Sequence, residues 1–315
     1  MGQEDGKKWA AAVHSQPTIP KSDRLLEDVW NALAAGQAAC LVRVESIQGS
    51  APREAGAWML VFAAQVFGSI GGGHLEHQAI AQARRLLAAR GVPGAPDGDA
   101  RASDTPLRLH YALGPALGQC CGGAVELGFA LVGSADVPAL KLRLAPRRQP
   151  LALFGAGHVG RALVQVLAPL PFAVRWFDSR EDAFPAQSCD ASVLSHEALR
   201  CEHSEPVHGA VASLAPGTRV LIMSFSHAED FALVHACLRR QRERGDLPYI
   251  GLIGSRTKWA TFASRLRARG FAEHELAHVT CPIGVPGIRG KEPAVIAVAV
   301  AAQLLQTLTP QSPSA

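Results

Sequence analysis

The segment LALFGAGHVGRAL, Leu151–Leu163, carries the clearest fold signal in the second half of the chain. A short apolar run leads directly into three glycines, Gly155, Gly157 and Gly160, spaced as G-x-G-x-x-G at the start of a helical pattern. The first glycine permits a tight turn, the second lets the backbone approach a pyrophosphate, and the third lets the helix pack closely on the strand. The same glycines also serve packing alone, so the motif predicts a fold before it predicts a ligand.

Strands and helices alternate around this motif. The predicted strands are Leu151–Phe154, Phe172–Phe177, Val220–Ser224 and Tyr249–Ile253. The predicted helices are His158–Leu167, Ala228–Arg242, Lys258–Arg269 and a last one from Pro293 to about Leu308. This alternation of short buried strands with helices predicts a Rossmann-like, doubly wound parallel sheet.

The second predicted strand ends at Asp178, and Arg180 lies two residues further on. A carboxylate at this position holds a ribose 2′-hydroxyl in dinucleotide sites, whereas a nearby arginine accommodates a 2′-phosphate. NAD(P) or another nucleotide is therefore a candidate ligand, and Asp178 joins Gly155, Gly157 and Gly160 as a candidate contact.

Loops that follow the carboxyl ends of parallel strands meet along one edge of the sheet. The loops after the first, third and fourth predicted strands contribute His158, His227 and Arg256 to that edge. Imidazoles, backbone amides and a guanidinium together suit a polyanionic ligand. Each residue also has an ordinary explanation, since His158 can bond to the local backbone and Ser226 or His227 can cap the following helix.

The first half of the chain predicts a smaller α/β domain. Its predicted elements are a helix from Ser22 to Gly36, strands at Cys40–Val44, Ala57–Phe62 and near Val66, a helix after Gly73, and strands at Leu107–Tyr111 and Ala124–Val132. We divide the chain into a mobile tail (1–20), a first domain (21–145), a Rossmann-like domain (146–309) and a short tail (310–315). The boundary lies in the segment 133–148, which mixes proline, glycine and charge.

Three polar or glycine-rich turns in the first domain are candidates for chemistry. Arg53 lies in GSAPRE, and Gly71–Gly73 precede a helix in a pattern that resembles an anion nest, with a tight strand-to-helix crossing as the alternative. Gln119, Cys120 and Cys121 lie in a glycine-flanked loop between two predicted strands. A thiol near backbone amides can act as a soft ligand or nucleophile, although spacing alone slightly favours two small buried side chains.

Composition narrows the class of protein. The 315 residues are 48% hydrophobic and 18% charged with a net charge of +4, which excludes a disordered chain or a coiled coil. The basic residues are scattered, so we expect no nucleic-acid partner. The seven cysteines contain no C-x-x-C pair, which argues against a disulfide framework or zinc knuckle, and we assign no structural metal site. With no apolar run of membrane-spanning length, we expect a cytoplasmic protein without a membrane partner.

These motifs together resemble one family. The order of seven segments is similar to that of the XdhC/CoxI family, and the resemblance covers about Leu25 to Leu308: GSAPREAGAWMLV, GSIGGGHLE, LGPALGQCCGG, FGAGHVGRAL, SHAED, GLIGSRTKWATF and CPIGVPGIRGKEPAVIAVAVAAQLL. The resemblance implies an N-terminal XdhC/CoxI-type domain followed by a Rossmann-type domain. It also implies an accessory factor rather than a metabolic enzyme.

Members of this family are expected to bind the molybdenum cofactor (molybdopterin), protect it, and help insert its sulfurated form into apo-xanthine dehydrogenase. The implied partners are the molybdenum-binding subunit of that enzyme and the proteins of cofactor biosynthesis and sulfuration, and we expect a homo-oligomer. Carried over by motif, Cys120 and Cys121 are the first candidates for contact with molybdenum or a labile sulfur. Arg53 and Gly71–Gly73 are candidates for pterin or phosphate contact. A nicotinamide-dependent oxidoreductase and a ligand-free assembly scaffold remain the alternatives.

Overall fold

The computed structural model describes residues 22–89, 106–113, 123–145, 147–184 and 198–308, with the side chains described from residue 27 onward. The chain divides into two compact units, residues 1–145 and 146–315. Each unit has its own sheet and its own apolar cores. Within these ranges, no helix combines the length and the apolarity that crossing a bilayer requires.

The first unit contains an antiparallel sheet with helices on both faces. Its elements are α1 Ser22–Ala34, β1 Ala39–Gln48, β2 Trp58–Val61, β3 Val66–Gly68, α2 Gly73–Ala89, β4 Leu107–Ala112, β5 Ala124–Val132, a 3₁₀ turn Ser134–Asp136 and α3 Val137–Leu144. The strands lie in the order β3-β2-β1-β5-β4, and every adjacent pair is antiparallel.

Alternation along β1 explains the three layers of this unit. Cys40 and Val42 point to one face, where they pack in a core with Leu75 of α2. Leu41 points to the other face, into a core that includes Leu33 of α1 and residues of α3. Because successive side chains of a strand point in opposite directions, β1 contributes side chains to both cores.

The segment that we treated as a boundary, 133–148, contains a helix. Leu140 and Leu144 of α3 are buried in the core of the first unit. Pro138 stands in the first turn, where a proline costs no hydrogen bond. The segment therefore contributes packing to the first unit as well as leading to the second.

The second unit is a six-stranded parallel sheet. Its elements are β6 Gln149–Phe154, α4 His158–Leu167, β7 Phe172–Asp178, β8 Leu199–His203, a 3₁₀ helix Val207–Ser213, β9 Arg219–Ile222, α5 His227–Arg244, β10 Tyr249–Leu252, α6 Arg256–Arg267, α7 Glu273–Leu276, β11 Val279–Thr280 and α8 Pro293–Gln306. The strand order is β11-β10-β9-β6-β7-β8, and every adjacent pair is parallel.

This strand order confirms the predicted doubly wound sheet. The chain starts in the middle at β6, runs outward through β7 and β8, and returns to β9 on the other side. Alternate residues of β6 enter different cores, since Leu151 and Leu153 pack on one face and Ala152 and Phe154 on the other. In such sheets the ligand crevice lies outside the carboxyl ends of the strands at the switch point, here between β6 and β9.

Candidate functional site

Two of the three motif glycines are required by packing at the switch point. Gly155 has φ +114°, and a Cβ at this position would lie 2.1 Å from the carbonyl oxygen of Met223, which follows β9. A Cβ on Gly160 would lie 2.3 Å from the carbonyl oxygen of Gly155. The loop after β6 is therefore pressed against both its own helix and the neighbouring strand.

Gly157 differs from these two glycines. It has an ordinary φ of −73°, and as the residue before the first residue of α4 it has no side chain that could cap the helix. Among the described residues, no atom would lie within 4 Å of a Cβ added at Gly157. Uncapped amides at a helix N-terminus favour an anion, and the bare backbone allows one to approach closely. This is the geometry that a phosphate site needs.

Asp178, predicted to hold a ribose, is engaged by the protein itself. Its side chain is only 2% exposed, and its Oδ2 accepts a hydrogen bond of 2.7 Å from the amide of Ala156 in the glycine-rich loop. Arg180 donates through its amide, Nε and a terminal nitrogen at 2.9–3.0 Å. The carboxylate thus ties the loop after β6 to the loop after β7. A ribose hydroxyl would have to compete with these donors.

Charge and hydrogen bonding hold Asp178 in its ionised form. Burial alone would raise the pKa of Asp178, but the hydrogen bonds from Arg180 and from the amide of Ala156 keep it below its ordinary value of 3.8. Arg180 also lies over the ring of Phe225, with 5.2 Å between the guanidinium carbon and the ring centroid, and that ring is 62% exposed. An arginine and an exposed aromatic ring therefore stand beside the Asp178 carboxylate.

We expect Arg180→Gln to make the protein more sensitive to acid. Because the folded-state pKa of Asp178 is depressed, its contribution to stability is present above the unfolded pKa and is lost as the pH falls through the folded pKa. Removing the guanidinium raises that folded pKa, so the loss begins at a higher pH. Unfolding free energies measured between about pH 2 and pH 7 test this.

The matched control is Arg267→Gln, since Arg267 pairs with the exposed Glu273 at the far end of α6. If the pH at which stability is lost on the acid side rose equally in both variants, the Asp178 contact would have no specific role.

The loops after β9 and β10 are joined by a buried ion pair. Asp230 is 2% exposed and accepts hydrogen bonds from the amide and hydroxyl of Ser224 at 2.9 and 2.7 Å. The Nζ of Lys258 lies 2.5 Å from its other carboxylate oxygen and also donates to the carbonyl of Ile253 at 2.9 Å. Asp230 and Lys258 thus fix two loops of the crevice, and the sequence analysis assigned neither of them a role.

The structure places the other predicted residues of this unit at the same edge. His158, His227 and Arg256 are the first residues of α4, α5 and α6, which follow the adjacent strands β6, β9 and β10. All three are exposed, and within the described ranges none has a hydrogen-bond or ion-pair partner. Ser226 caps α5 by accepting from the amide of Glu229 at 3.1 Å, so His227 is not needed as the cap.

In the first unit, the predicted anion nest holds one of the protein's own carboxylates. The amides of Ile70 and Gly72 each donate to Oε2 of Glu76 at 3.0 Å, and the Ser69 hydroxyl donates to the same oxygen at 2.6 Å. The amide of Gly71 donates to the hydroxyl oxygen of Ser69 at 3.1 Å. External phosphate binding at Gly71–Gly73 stays a prediction, and it would require Glu76 to move.

The segments around this nest come together in space. A Cβ on Gly71 would lie 2.4 Å from Cβ of Pro52, next to Arg53, whose guanidinium pairs with Glu54 at 3.2 Å. A Cβ on Gly123 would lie 2.3 Å from the carbonyl oxygen of Ser50. The turn that carries Arg53 is therefore packed between the Gly71 turn and the start of β5.

Gln119, Cys120 and Cys121 lie outside the described residues. The backbone on either side is fixed, because the amide of Leu113 donates to the carbonyl of Gly123 at 2.7 Å. This bond holds together the two ends of the segment that contains both cysteines. The roles proposed for these three residues stay predictions.

The described cysteines are of three kinds. Cys40 and Cys237 are buried thiols, and burial raises the pKa of each to about 12. Cys281 is a half-buried thiol, and burial raises its pKa as well. Cys201 is disulfide-bonded, which the sequence analysis did not anticipate. Among the described residues, no three His, Cys, Asp or Glu side chains are grouped so that they could hold a metal ion.

Comparison with known proteins agrees with this architecture. A crystal structure described as that of a xanthine dehydrogenase from Bacillus halodurans aligns with this chain with a TM-score of 0.66 and 18% sequence identity. The alignment covers 91% of this chain and 96% of that one. That likeness shows a shared fold over both units. In Escherichia coli (strain K12), the uncharacterized protein YqeB is 26% identical over 271 residues, which are 84% of this chain. This chain spans 43% of the length of YqeB.

Two family descriptions match in the order of the two units. The description "XdhC and CoxI family" matches residues 32–92, in the antiparallel unit. The description "XdhC Rossmann domain" matches residues 151–304, which run from the glycine-rich strand to the last helix. Since both halves carry the matching domain in the expected order, the chain belongs to the XdhC family.

Proposed function

We propose that this protein is a maturation factor that binds the molybdenum cofactor and delivers its sulfurated form to apo-xanthine dehydrogenase. Membership of the XdhC family across both units is the observation that carries the proposal. The cofactor is cargo here, and the protein is not assigned a reaction of its own. Its partners would be the molybdenum-binding subunit of the enzyme and the proteins that make and sulfurate the cofactor.

The chemistry of the crevice fits the phosphate of a pterin cofactor. The cofactor carries a phosphate at one end and a dithiolene-bound molybdenum at the other. Of the two predicted anion sites, the turn at Gly71–Gly73 holds the Glu76 carboxylate, whereas α4 begins without a side-chain cap beside the bare backbone of Gly157. We therefore assign the phosphate to the start of α4, at the edge of the sheet where Arg256, the first residue of α6, also lies.

The molybdenum end calls for soft ligands. Thiolates bind such metals better than oxygen donors do, and the adjacent cysteines Cys120 and Cys121 are the most concentrated thiols in the sequence. By contrast, Cys40 and Cys237 are buried, and their raised pKa values keep them protonated. We assign contact with molybdenum or with its labile sulfur to Cys120 or Cys121.

A nicotinamide-dependent oxidoreductase is the second candidate function. The strand order and the glycine motif favour it, since both are typical of dinucleotide sites. The engagement of Asp178 by Ala156 and Arg180 speaks against it, because the usual ribose acceptor is already occupied. Saturable binding of NAD(P) measured by calorimetry would favour the oxidoreductase over the maturation factor.

The test is the molybdenum and pterin content of protein purified anaerobically from a host that makes molybdopterin. We expect substoichiometric molybdenum and pterin in the wild type. We expect Gly157→Ala to lower the pterin content about tenfold without loss of stability, because the methyl group would occupy the space that the phosphate needs. The control is Gly133→Ala in the first unit, which also adds a methyl group to open space and should leave the cofactor load unchanged.

The same experiment tests the two cysteines. Serine has nearly the volume of cysteine but is a hard donor, so Cys120→Ser and Cys121→Ser separate sulfur chemistry from packing. At least one of them should retain the wild-type melting temperature while losing cofactor and activation of apo-xanthine dehydrogenase. Pterin content equal to that of an unrelated control protein would refute cofactor binding. Unchanged activation by both serine variants would remove the cysteines from the site.

A further inference from the structure

A groove of about 570 Å³ runs along one side of α5, and none of the crevice residues described above lines it. Its walls come from the 3₁₀ helix Val207–Ser213, from α5 between Phe231 and Arg244, and from Arg269 beyond the end of α6. Val211 and Phe231 give it an apolar floor. The proposed cofactor site therefore does not account for this groove.

The groove is bordered by three guanidinium groups that have no described carboxylate within ion-pair distance. The guanidinium carbons of Arg265 and Arg269 lie 4.0 and 4.9 Å from the centroid of the same ring, Phe231. Among the described residues, neither of them has an ion-pair partner, and the same holds for Arg244 at the end of α5. Two like charges held on one ring repel each other until an anion lies near them.

Neighbouring arginines show that pairing is otherwise the rule here. A terminal guanidinium nitrogen of Arg240 lies 2.7 Å from Oδ2 of Asp246, and Nε of Arg242 lies 2.5 Å from Oε1 of Glu275. Among the described residues that line the groove, Glu243 is the one carboxylate, and it pairs with Arg239 at 3.3 Å, with both side chains more than half exposed. An exposed pair of this kind contributes little, so Arg239 remains available to a ligand.

The protonation behaviour of His235 reports the same positive field. Burial lowers the pKa of His235, and the charges of Arg239, Arg269, His208 and Arg242 lower it further. His208 and His235 both line the groove. Positive charge therefore surrounds His235 in the wall of the groove.

The dimensions of the groove indicate the class of ligand. From Phe231 to Arg244 the helix advances by about 20 Å at roughly 1.5 Å per residue, which matches about six residues of extended peptide. A single phosphate would fill only a small part of this length. Guanidinium groups recognise carboxylates through paired hydrogen bonds, and the apolar floor accepts the side chains between them.

We propose that this groove binds an extended, acidic segment of a partner protein. The cationic rim and the apolar floor carry this inference, which does not depend on cofactor binding at α4.

The test uses a fluorescein-labelled hexapeptide of alternating glutamate and leucine, titrated with full-length protein at low salt. We expect Arg239→Gln/Arg269→Gln to raise the Kd at least about tenfold, because two guanidinium donors of the groove are lost, one of them held only in an exposed pair with Glu243. The matched control, Lys141→Gln/Arg267→Gln, removes the same charge from α3 and from the Glu273 pair outside the groove, and should keep the Kd within about twofold.

Two further measurements test whether the peptide lies in the groove and whether the variants are folded. The imidazole resonances of His235 should shift on peptide addition in the wild type and in the control variant, but not in Arg239→Gln/Arg269→Gln. Thermal unfolding verifies that all variants are folded. Equal weakening in both double variants would overturn the proposal. It would also be overturned by a single-stranded oligonucleotide that displaces the peptide at lower concentration, or by orthophosphate that competes at equal concentration.

Discussion

Gly155→Ala is expected to destabilise the second unit by about 3 kcal/mol or more, the largest effect of a single added methyl group in this crevice. Gly155 has φ +114°, and its new Cβ would lie 2.1 Å from the carbonyl oxygen of Met223 and 3.0 Å from the Cα of Ser224. Both of these are backbone atoms between β9 and α5, so no side-chain rotation relieves the clash. The central strands β6 and β9 would have to separate. Denaturant unfolding followed by circular dichroism measures the loss.

Gly157→Ala is the matched control for this experiment, only two residues away. Its φ is −73° and the position faces open space, so stability should stay within about 0.5 kcal/mol of the wild type. Equal destabilisation by both substitutions would contradict the assignment of Gly155 to packing and of Gly157 to ligand approach.

Lys258→Met should cost roughly 3–5 kcal/mol of unfolding free energy. The substitution keeps the length and apolar stem of the side chain but removes the ammonium group that lies 2.5 Å from Asp230. Asp230 is 2% exposed, so its carboxylate would remain buried with only the Ser224 donors. A buried charge without a counter-charge is far less stable than the pair. Chemical denaturation at neutral pH measures the effect.

A double variant separates the charge from the packing. In Lys258→Met/Asp230→Asn, the neutral amide keeps an oxygen that can accept from Ser224, so most of the lost stability should return. Arg267→Met, which breaks the exposed pair between the end of α6 and Glu273 of α7, should change stability little. Additive losses in the Lys258 and Asp230 variants would show that the pair does not act as a unit.

These two predictions concern the residues that hold the loops of the proposed cofactor site in place, Gly155 and the Asp230–Lys258 pair, which we call its frame. Gly155 holds the loop after β6 against β9, and the Asp230–Lys258 pair joins the loops after β9 and β10. The groups that we assign to the ligand, the amides of α4 and Arg256, lie on this frame, and within the described ranges no side chain pairs with either. We therefore expect Gly157 and Arg256 variants to change ligand load without changing stability, and Gly155 and Lys258 variants to change both.

Local pattern predicted most of the second unit. Its strands, its glycine-rich turn and its helices are each specified by residues that are near one another in the sequence. The alternation of strands and helices is compatible with few topologies besides a parallel doubly wound sheet. The two strands that were not predicted, β8 and β11, are an edge strand of five residues and one of two, and the 3₁₀ helix Val207–Ser213 and the four-residue helix α7 were not predicted either. Edge strands carry a weaker apolar pattern because only part of each is buried.

The sequence alone determined the family, the fold of the second unit and the edge of the sheet where its ligand loops meet, since each follows from short-range order. Which polar groups are already paired within the described residues depends on the tertiary structure. It placed Asp178 on Ala156, 22 residues away, and Lys258 on Asp230, 28 residues away, while leaving the start of α4 uncapped. Such pairings depend on where distant segments meet in space. A buried carboxylate is bound by whichever donors the fold brings to it, and a donor left without one remains available to a ligand.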